Sequence, residues 1–459
     1  MTMIKYTKIE KKINEKKFND CLKIIQNEVE EIIYNTKYTS KKFIDRRLDN
    51  YCLEIGKSSA FTEERFKRNK IDSIILVSRL DVVGGGSKVI YDLINCLKKK
   101  IIVISTGLFP SKKINSKNII FIETPENTLI NKVYWIQKKI NQLNPKNIWL
   151  FNSHQDSVAI AVFGKKFNST INFIHHCDHN LSLGATINKF KHYDPHVPGY
   201  KNCRKLKIKN YYFPLVCKDY GKLNKIFDAK NITTATIASY NKFLIPYKFH
   251  YADLITCLLK NSTKIHYHVG RLTVLQLILI YTKLILNRVS IKKFQYFNKI
   301  HNTWLFMKKK KIDFMISSFP LSGYRAIVES MGCGIPIIVH RNLISNIISG
   351  ANILPKNNFI WNNYDEVINF LKSINNKKYQ ILSSVSRNRY KKYHKILYLK
   401  KFLKGTSIIT PEYTNPYKLT YKEKSCKYRT IINVEIIIIN ILRKLRQFFL
   451  KKRFIYTFS

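Results

Sequence analysis

Two blocks of alternating apolar runs and amphipathic segments most constrain how this chain folds. In the first block, short runs rich in Ile and Val, such as 71–78, 101–106 and 147–153, alternate with segments whose apolar residues recur at helical spacing. A second block of the same texture begins near Thr233. Strands that alternate with helices at this spacing form a parallel sheet with helices on both faces. The sequence therefore predicts an α/β protein with two Rossmann-like domains and a ligand site in the cleft between them.

Changes in texture divide the 459 residues into four parts. We predict a basic helical N-terminal extension over 1–70, a first Rossmann-like domain over 71–228 and a second over 229–400. The remaining residues, 401–459, form a basic tail.

The end of the tail has the spacing of an amphipathic basic helix, although its β-branched residues also fit a strand. Phe448, Phe449 and Phe454 are available to enter a lipid interface. Contact with an anionic membrane and docking on the protein itself both remain open. The predicted apolar face comprises Val434, Ile438, Ile441, Leu445 and Phe448.

The chain is strongly basic, with 81 Lys+Arg against 29 Asp+Glu and a formal net charge of +52. This charge excludes polycations as partners and favours phosphorylated substrates, anionic lipid or nucleic acid. Lys is much commoner than Arg, the better bidentate and stacking residue. We find neither a helix-turn-helix nor a basic face with aromatic stacking positions. The sequence thus argues against nucleic acid as a partner, and a nucleic-acid-binding Rossmann protein is a lower-ranked alternative.

Cysteine usage and hydropathy bear on location. Nine cysteines are scattered without a CxxC pair, which favours reduced thiols over a disulfide framework. The first residues lack the apolar core of a secretory signal, and the longest apolar stretch, 272–289, is interrupted by polar residues. We therefore expect a cytoplasmic protein, either free or peripheral on the inner face of the plasma membrane.

A glycine-rich loop, 84–87, follows the first predicted strand and precedes a helix. Gly85 and Gly86 let the backbone approach a ligand closely, and the helix N-terminus offers N–H groups to a phosphate. The pattern is not GxGxxG, so it does not specify a dinucleotide. A tight turn without a ligand is the alternative.

The densest group of functional side chains, 175–179, ends a predicted strand. Adjacent residues on a strand face opposite sides, so this group cannot converge on one ion, and we expect no metal. Instead, His175 or His176 with Asp178 is predicted to line the cleft, where an imidazole can accept a proton from a hydroxyl. A hydrogen-bonded structural histidine is the alternative. Further ligand-type residues follow at His192, Asp194, His196 and Cys203.

The most specific stretch, 313–340, reads as strand, Ser/Pro/Gly loop, helix and strand. Its helix begins near Ser322 and carries Glu329. A helix N-terminus that faces the cleft suits a diphosphate, and a carboxylate two turns further on can accept hydrogen bonds from ribose hydroxyls. The alternative is an ordinary βαβ unit.

Three features together resemble the GT-B glycosyltransferases, particularly the retaining family 4: the ESMGCGIPII segment, the GGGS loop and the His-Asp strand end. In addition, HHCDHNLSLG followed by NCR resembles a variant HxDHxxxLG…R pattern of bacterial members. The resemblance covers about 71–400. It implies hexosyltransferase-like transfer from a nucleotide diphosphate sugar to a cell-surface glycan or lipid-linked acceptor, with no cofactor.

The resemblance implies a donor-binding set drawn from both domains. Glu329 would hold the donor ribose. Lys242 would neutralise the leaving phosphates, with Arg271 as a second candidate. The residues whose main chain would lie close to the diphosphate are Gly85, Gly86, Ser322, Gly323 and Tyr324.

One position departs from the family pattern. Retaining members show E-x7-E, and here Leu321 stands in the first place. This departure leaves the sugar and the stereochemistry open. It also keeps the alternative of a non-catalytic relative that acts as an assembly partner.

Overall fold

The structure, a computed structural model, contains two fully parallel sheets. It describes residues 5–35, 38–58, 71–81, 84–97, 101–108, 119–356, 358–414, 430–439 and 441. The strands of the first sheet are β1 (Ser73–Val77), β2 (Ile101–Ser105), β3 (Ile119–Glu123), β4 (Asn147–Phe151), β5 (Thr170–Ile174), β6 (Lys191–Asp194) and β7 (Asn210–Tyr212). Those of the second are β8 (Thr233–Ile237), β9 (Ile265–Val269), β10 (Phe294–Phe297), β11 (Phe314–Ile316), β12 (Ile337–His340) and β13 (Ile360–Trp361).

The strand orders are β3-β2-β1-β4-β5-β6-β7 and β10-β9-β8-β11-β12-β13. All five residues of β1 and all four of β12 are buried, because helices cover both faces of each sheet. The predicted α/β architecture of two Rossmann-like domains is confirmed.

Helices flank both sheets. Those of the N-terminal half are α1 (Tyr6–Asn14), α2 (Phe18–Tyr34), α3 (Arg46–Lys57), α4 (Gly85–Leu97), α5 (Leu129–Leu143), α6 (Ser157–Ala161) and α7 (Val197–Lys205). Those of the C-terminal half are α8 (Tyr251–Asn261), α9 (Val274–Leu286), α10 (Thr303–Lys309), α11 (Tyr324–Cys333), α12 (Tyr364–Lys372), α13 (Asn376–Tyr393) and α14 (Ile396–Leu403).

The N-terminal helices belong to the core of the first domain. Ile9, Leu22 and Leu48 share one apolar cluster with Ile74 and Leu76 of β1. The backbone of α3 lies directly against the end of α6. A Cβ added to Gly56 of α3 would lie only 1.7 Å from the Ala161 carbonyl oxygen. A glycine at this position is therefore required for the helices to pack this closely.

The chain crosses between the domains twice. After β7 it passes into the second domain, and after α13 it returns, so that α14 packs on α4. The two crossings touch, since the Cys217 amide donates to the His394 carbonyl at 3.0 Å and the Tyr390 hydroxyl donates to the Cys217 carbonyl at 2.9 Å. His394 Nδ1 also lies 2.8 Å from the Leu215 carbonyl oxygen.

Part of the basic tail, 430–439, is helical and packs on the N-terminus of α9. Ile432 and Glu435 are buried, and Thr273 Oγ1 donates to Glu435 Oε1 at 2.6 Å. The predicted apolar-face residues Val434, Ile438 and Ile441 are exposed. The other aromatic and apolar positions of that prediction lie outside the described residues: Leu445, Phe448, Phe449 and Phe454. Within the described ranges, no helix has both the length and the apolarity needed to cross a bilayer.

Candidate active site

Loops that follow strands of both sheets meet between the two domains. In the first domain these are the glycine-rich loop after β1 and 175–179 after β5; in the second they are the turn after β8 and the start of α11. The parallel strands bring these loops to the carboxyl ends of the two sheets, where ligands bind in open α/β folds.

The glycine-rich loop touches the second domain. Gly84 has a φ of +144°, which glycine adopts readily, and α4 begins at Gly85. A Cβ on Gly85 would lie 3.4 Å from Arg325 Cβ, and one on Gly86 would lie 4.0 Å from His176 Cδ2. The loop, His176 and the first turn of α11 are thus brought together.

Glu329 lies in α11 and is engaged by two cations. Lys88 Nζ, from α4 of the other domain, is 2.9 Å and 3.2 Å from its two carboxylate oxygens, and Arg325 Nε is 3.1 Å from Oε1. Burial opposes ionisation of this carboxyl, but Arg325 and Lys88 lower the pKa of Glu329 overall. Glu329 is therefore an ionised acceptor whose carboxylate is bound by Lys88 and Arg325.

A second cross-domain contact supports this arrangement. Arg325 Nη1 is 2.6 Å from Asp92 Oδ2 of α4, and Lys88 Nζ also donates to Thr303 Oγ1 at 2.6 Å. These charged hydrogen bonds hold α4 of the first domain against α10 and α11 of the second.

The histidines after β5 separate into two groups. Asp178 accepts from His196 Nδ1 at 2.8 Å, and the His196 ring lies 4.6 Å from the Tyr324 ring, so this pair borders the N-terminus of α11. Burial lowers the pKa of His176 to about 4, so its imidazole is neutral near pH 7 and able to accept a proton. His175 does not reach the cleft: its Nδ1 lies 2.9 Å from Asp194 Oδ1 in a buried cluster. The cause is the alternation of side chains along the strand end.

Lys242 lies on a turn after β8 and acts electrostatically on Cys177, His154 and His179 of the first domain. Burial lowers the pKa of Lys242. The His154 and His179 rings are 4.9 Å apart, and burial lowers the pKa of His154 to about 3. The charge of Lys242 thus adds to the effect of burial in lowering the pKa of both His154 and His179.

The predicted main-chain donors of the second domain differ in availability. The Ser322 amide donates to the Ile348 carbonyl at 2.9 Å and its hydroxyl to the Ser349 carbonyl at 2.6 Å, so Ser322 is bound within the protein. Gly323 is the N-cap residue of α11, and the ring of Tyr324, the first residue of the helix, lies 4.6 Å from the His196 ring of the first domain. Arg271 is exposed at the end of β9, where its carbonyl accepts from the Tyr240 amide.

Sequence reasoning missed three residues that the structure places here. Lys88 and Arg325 bind Glu329, and His154 faces Lys242. The position of Arg325 one turn before Glu329 was a readable signal, because residues four apart on a helix meet. Lys88 and His154 gave no such signal, because their partners lie far away in the sequence.

The fold matches solved structures along nearly their whole length. A glycosyltransferase from Rickettsia africae superimposes with a TM-score of 0.54 at 13% identity, over 73% of this chain and 97% of that one. Anabaena HepE in complex with UDP and glucose gives a TM-score of 0.53 at 12% identity, over 72% and 98% of the two chains. WaaG, a glycosyltransferase of lipopolysaccharide biosynthesis, gives 0.50 at 8% identity, over 72% and 100%.

This chain has the GT-B glycosyltransferase fold. No family model matches its sequence, and no curated protein matches it either. At these identities the likeness defines the GT-B fold and not a subfamily, so membership of family 4 remains an expectation.

Proposed function

We propose that this GT-B protein is a hexosyltransferase that moves a sugar from a nucleotide diphosphate sugar to a cell-surface glycan or lipid-linked acceptor. One observation carries the proposal: the N-terminus of α11, ionised Glu329 and the glycine-rich loop converge at the carboxyl ends of both sheets, and the Lys242 carbonyl accepts from the Leu321 amide just before that helix. Support also comes from HepE, whose structures contain UDP, UDP-glucose, or UDP and glucose.

Each group has a role that its chemistry allows. The α11 N-terminus and Lys242 stabilise the negative charge that develops on the departing diphosphate. Glu329 accepts hydrogen bonds from the ribose hydroxyls once Lys88 has moved away. His176, which is neutral, and the Asp178–His196 pair lie where they can orient the acceptor hydroxyl and take its proton.

The position of the first family glutamate is apolar. Leu321 is buried, and its amide donates to the Lys242 carbonyl at 3.3 Å. No carboxylate at this position can hold hydroxyls of the transferred sugar. We therefore propose sugar transfer without specifying whether the anomeric configuration is retained or inverted. Lys242 and the N-terminus of α11 would stabilise the charge of the departing diphosphate.

A panel of nucleotide sugars tests the proposal. The cognate donor is expected to raise the melting temperature by mass action, since a ligand at 100 times its Kd stabilises by about 2.7 kcal/mol. The same donor should release its nucleoside diphosphate when acceptor glycolipid is added, as measured by a coupled phosphate assay. The matching nucleoside monophosphate serves as control. A panel in which no donor shifts the melting temperature would contradict the proposal, and binding without turnover would favour the non-catalytic assembly partner.

We further propose that the protein works at the cytoplasmic face of the plasma membrane. Four apolar side chains of α9 are between half and three-quarters exposed: Val274, Ile278, Ile285 and Leu286. The adjoining tail helix exposes Ile431, Val434, Ile437, Ile438 and Ile441. Exposed Arg288, Lys292 and Lys293 follow α9. Apolar side chains beside basic ones are the pattern of an interfacial contact with anionic lipid.

Vesicle binding tests this location. The double substitution Ile278→Asp and Ile285→Asp is expected to weaken binding to phosphatidylglycerol vesicles about tenfold, because two apolar side chains no longer enter the interface. The matched control is Ile226→Asp, which alters an exposed isoleucine in the connection from β7 to β8. Co-sedimentation measures both variants. Equal binding by the double variant and the control would exclude this surface.

A further inference from the structure

Four side chains of the kinds that bind metal ions, two imidazoles, a carboxylate and a thiol, converge inside the first domain. They are His175 after β5, His192 and Asp194 on β6, and Cys203 on α7. Their ligand atoms all lie within 4.8 Å of one another, and all four residues are buried. His192 and Asp194 reach the same point because alternate residues of a strand face the same side.

The six distances among the four ligand atoms describe a tetrahedron. His175 Nδ1 lies 2.9 Å from Asp194 Oδ1, and His192 Nε2 lies 3.2 Å from each of these two atoms. Cys203 Sγ lies 3.7 Å from His175 Nδ1, 3.9 Å from His192 Nε2 and 3.5 Å from Asp194 Oδ1. A tetrahedral zinc ion with bonds of about 2.0 Å to N or O and 2.3 Å to S separates its ligands by about 3.3 Å and 3.6 Å. The observed edges match these separations within a few tenths of an ångström.

Hydrogen bonding alone is a poor explanation of this geometry. Asp194 Oδ1 would have to accept from two imidazoles and one thiol, while the two imidazole nitrogens face each other. A single cation among the four atoms satisfies all of them at once. We propose that His175, His192, Asp194 and Cys203 bind a structural zinc ion.

The surroundings fit such an ion. The outer oxygen of the carboxylate, Asp194 Oδ2, accepts from the Asn210 side chain, and the His192 ring forms a hydrogen bond with the Ala185 backbone. Partners of this kind fix the orientation of ligating carboxylates and imidazoles. The set of two imidazoles, one thiolate and one carboxylate suits zinc better than the oxygen-binding magnesium or calcium.

The ion has a positioning role and not a catalytic one. Four protein ligands complete a tetrahedral shell, so no position is left for substrate or water. The site lies directly behind the candidate active site: His175 precedes His176, and Asp194 is two residues from His196. Zinc would therefore tie the end of β5 to β6 and α7 and fix the loops that carry His176, Asp178 and His196. This inference departs from the sequence-based expectation of no metal, and it does not depend on the proposed transferase activity.

Metal content and spectroscopy test the site. Full-length protein, free of any histidine tag and purified from zinc-supplemented cells, is expected to contain about one zinc per chain by mass spectrometry of the metal. Cys203→Ala should lose most of that zinc. Cys52→Ala, which removes another buried and free cysteine, should keep it. Wild-type protein without zinc, or Cys203→Ala with full zinc content, would overturn the inference.

A measurement on the wild-type chain avoids dependence on a variant that fails to fold. Replacement of zinc by Co²⁺ is expected to give the intense visible bands of tetrahedral cobalt and a near-ultraviolet sulfur-to-cobalt charge-transfer band. Removal of metal with a chelator should lower the melting temperature, and Zn²⁺ but not Mg²⁺ should restore it. The weak spectrum of six-coordinate cobalt, or a melting temperature indifferent to chelator, would contradict a zinc site.

Discussion

Replacement of Glu329 by glutamine is expected to reduce kcat/KM for the nucleotide sugar about a hundredfold. The variant loses the charge of an acceptor that would bind two ribose hydroxyls, and hydrogen bonds to a charged group contribute about 1.5 kcal/mol or more each. Glu329 is buried and paired with Lys88 and Arg325. Water therefore cannot replace the hydrogen bonds to the ribose that the glutamine side chain of the variant fails to form. Initial rates with varied donor concentration measure the effect.

The matched control is Asp92→Asn. Asp92 also pairs with Arg325 across the domains, but it has no proposed contact with the donor. We expect this variant to change kcat/KM only a few-fold. If both variants lose activity equally, the loss comes from the domain interface and the assignment of Glu329 to the ribose is wrong.

A large loss of stability is expected from Gly332→Ala. A Cβ at this position would lie 2.1 and 2.2 Å from ring atoms of Trp304, which is 1% exposed and donates through Nε1 to the Gly221 carbonyl at 2.9 Å. Because the indole is buried and anchored, α10 and α11 must move apart. Overpacking of this kind costs about 3 kcal/mol, which urea unfolding measures as a lower midpoint.

Gly323→Ala is the comparison for this experiment. Gly323 precedes the same helix at a φ of −99°, and its added Cβ would meet nothing closer than 3.5 Å. The free energy of unfolding should therefore change by only about 0.5 kcal/mol. A Gly332→Ala protein as stable as the Gly323→Ala protein would show that α10 can move freely from α11.

Apolar runs made the central strands predictable, whereas shorter or mixed elements were missed. β1, β2 and β4 lie in continuous runs, which a sheet covered on both faces requires. β6 reads KHYD and β7 reads NYY, so neither shows apolar periodicity. They are strands because β6 pairs with β5 and β7 pairs with β6.

The helical spacing of apolar residues also predicts the start of one helix wrongly. The helical spacing of 297–310 predicts one helix, but its first residue ends β10 and the helix begins at Thr303. Asn302 sets that boundary, since its side chain accepts from the Leu305 amide at 3.0 Å. An N-cap asparagine is a strong start signal, and here it outweighs the helical spacing of the residues before it.

The site was predictable where its residues are neighbours in sequence and not where they meet across the fold. Glu329 and Gly323 follow from one helix and its loop. The pairing of Lys88 with Glu329 joins residues 241 positions apart, and no single-sequence pattern reports it. The four proposed zinc ligands lack a standard zinc spacing for the same reason, because they come from the end of β5, from β6 and from α7.

The paired crossings between the domains set how the cleft can open. The connection after β7 and the return at His394 are hydrogen-bonded to each other, so the chain bends in one small region whenever the domains rotate. α14 travels with α4, and the hinge therefore lies between α13 and α14. Opening must break the Lys88–Glu329 and Arg325–Asp92 pairs together, and because both pairs are largely buried, added salt screens them only weakly.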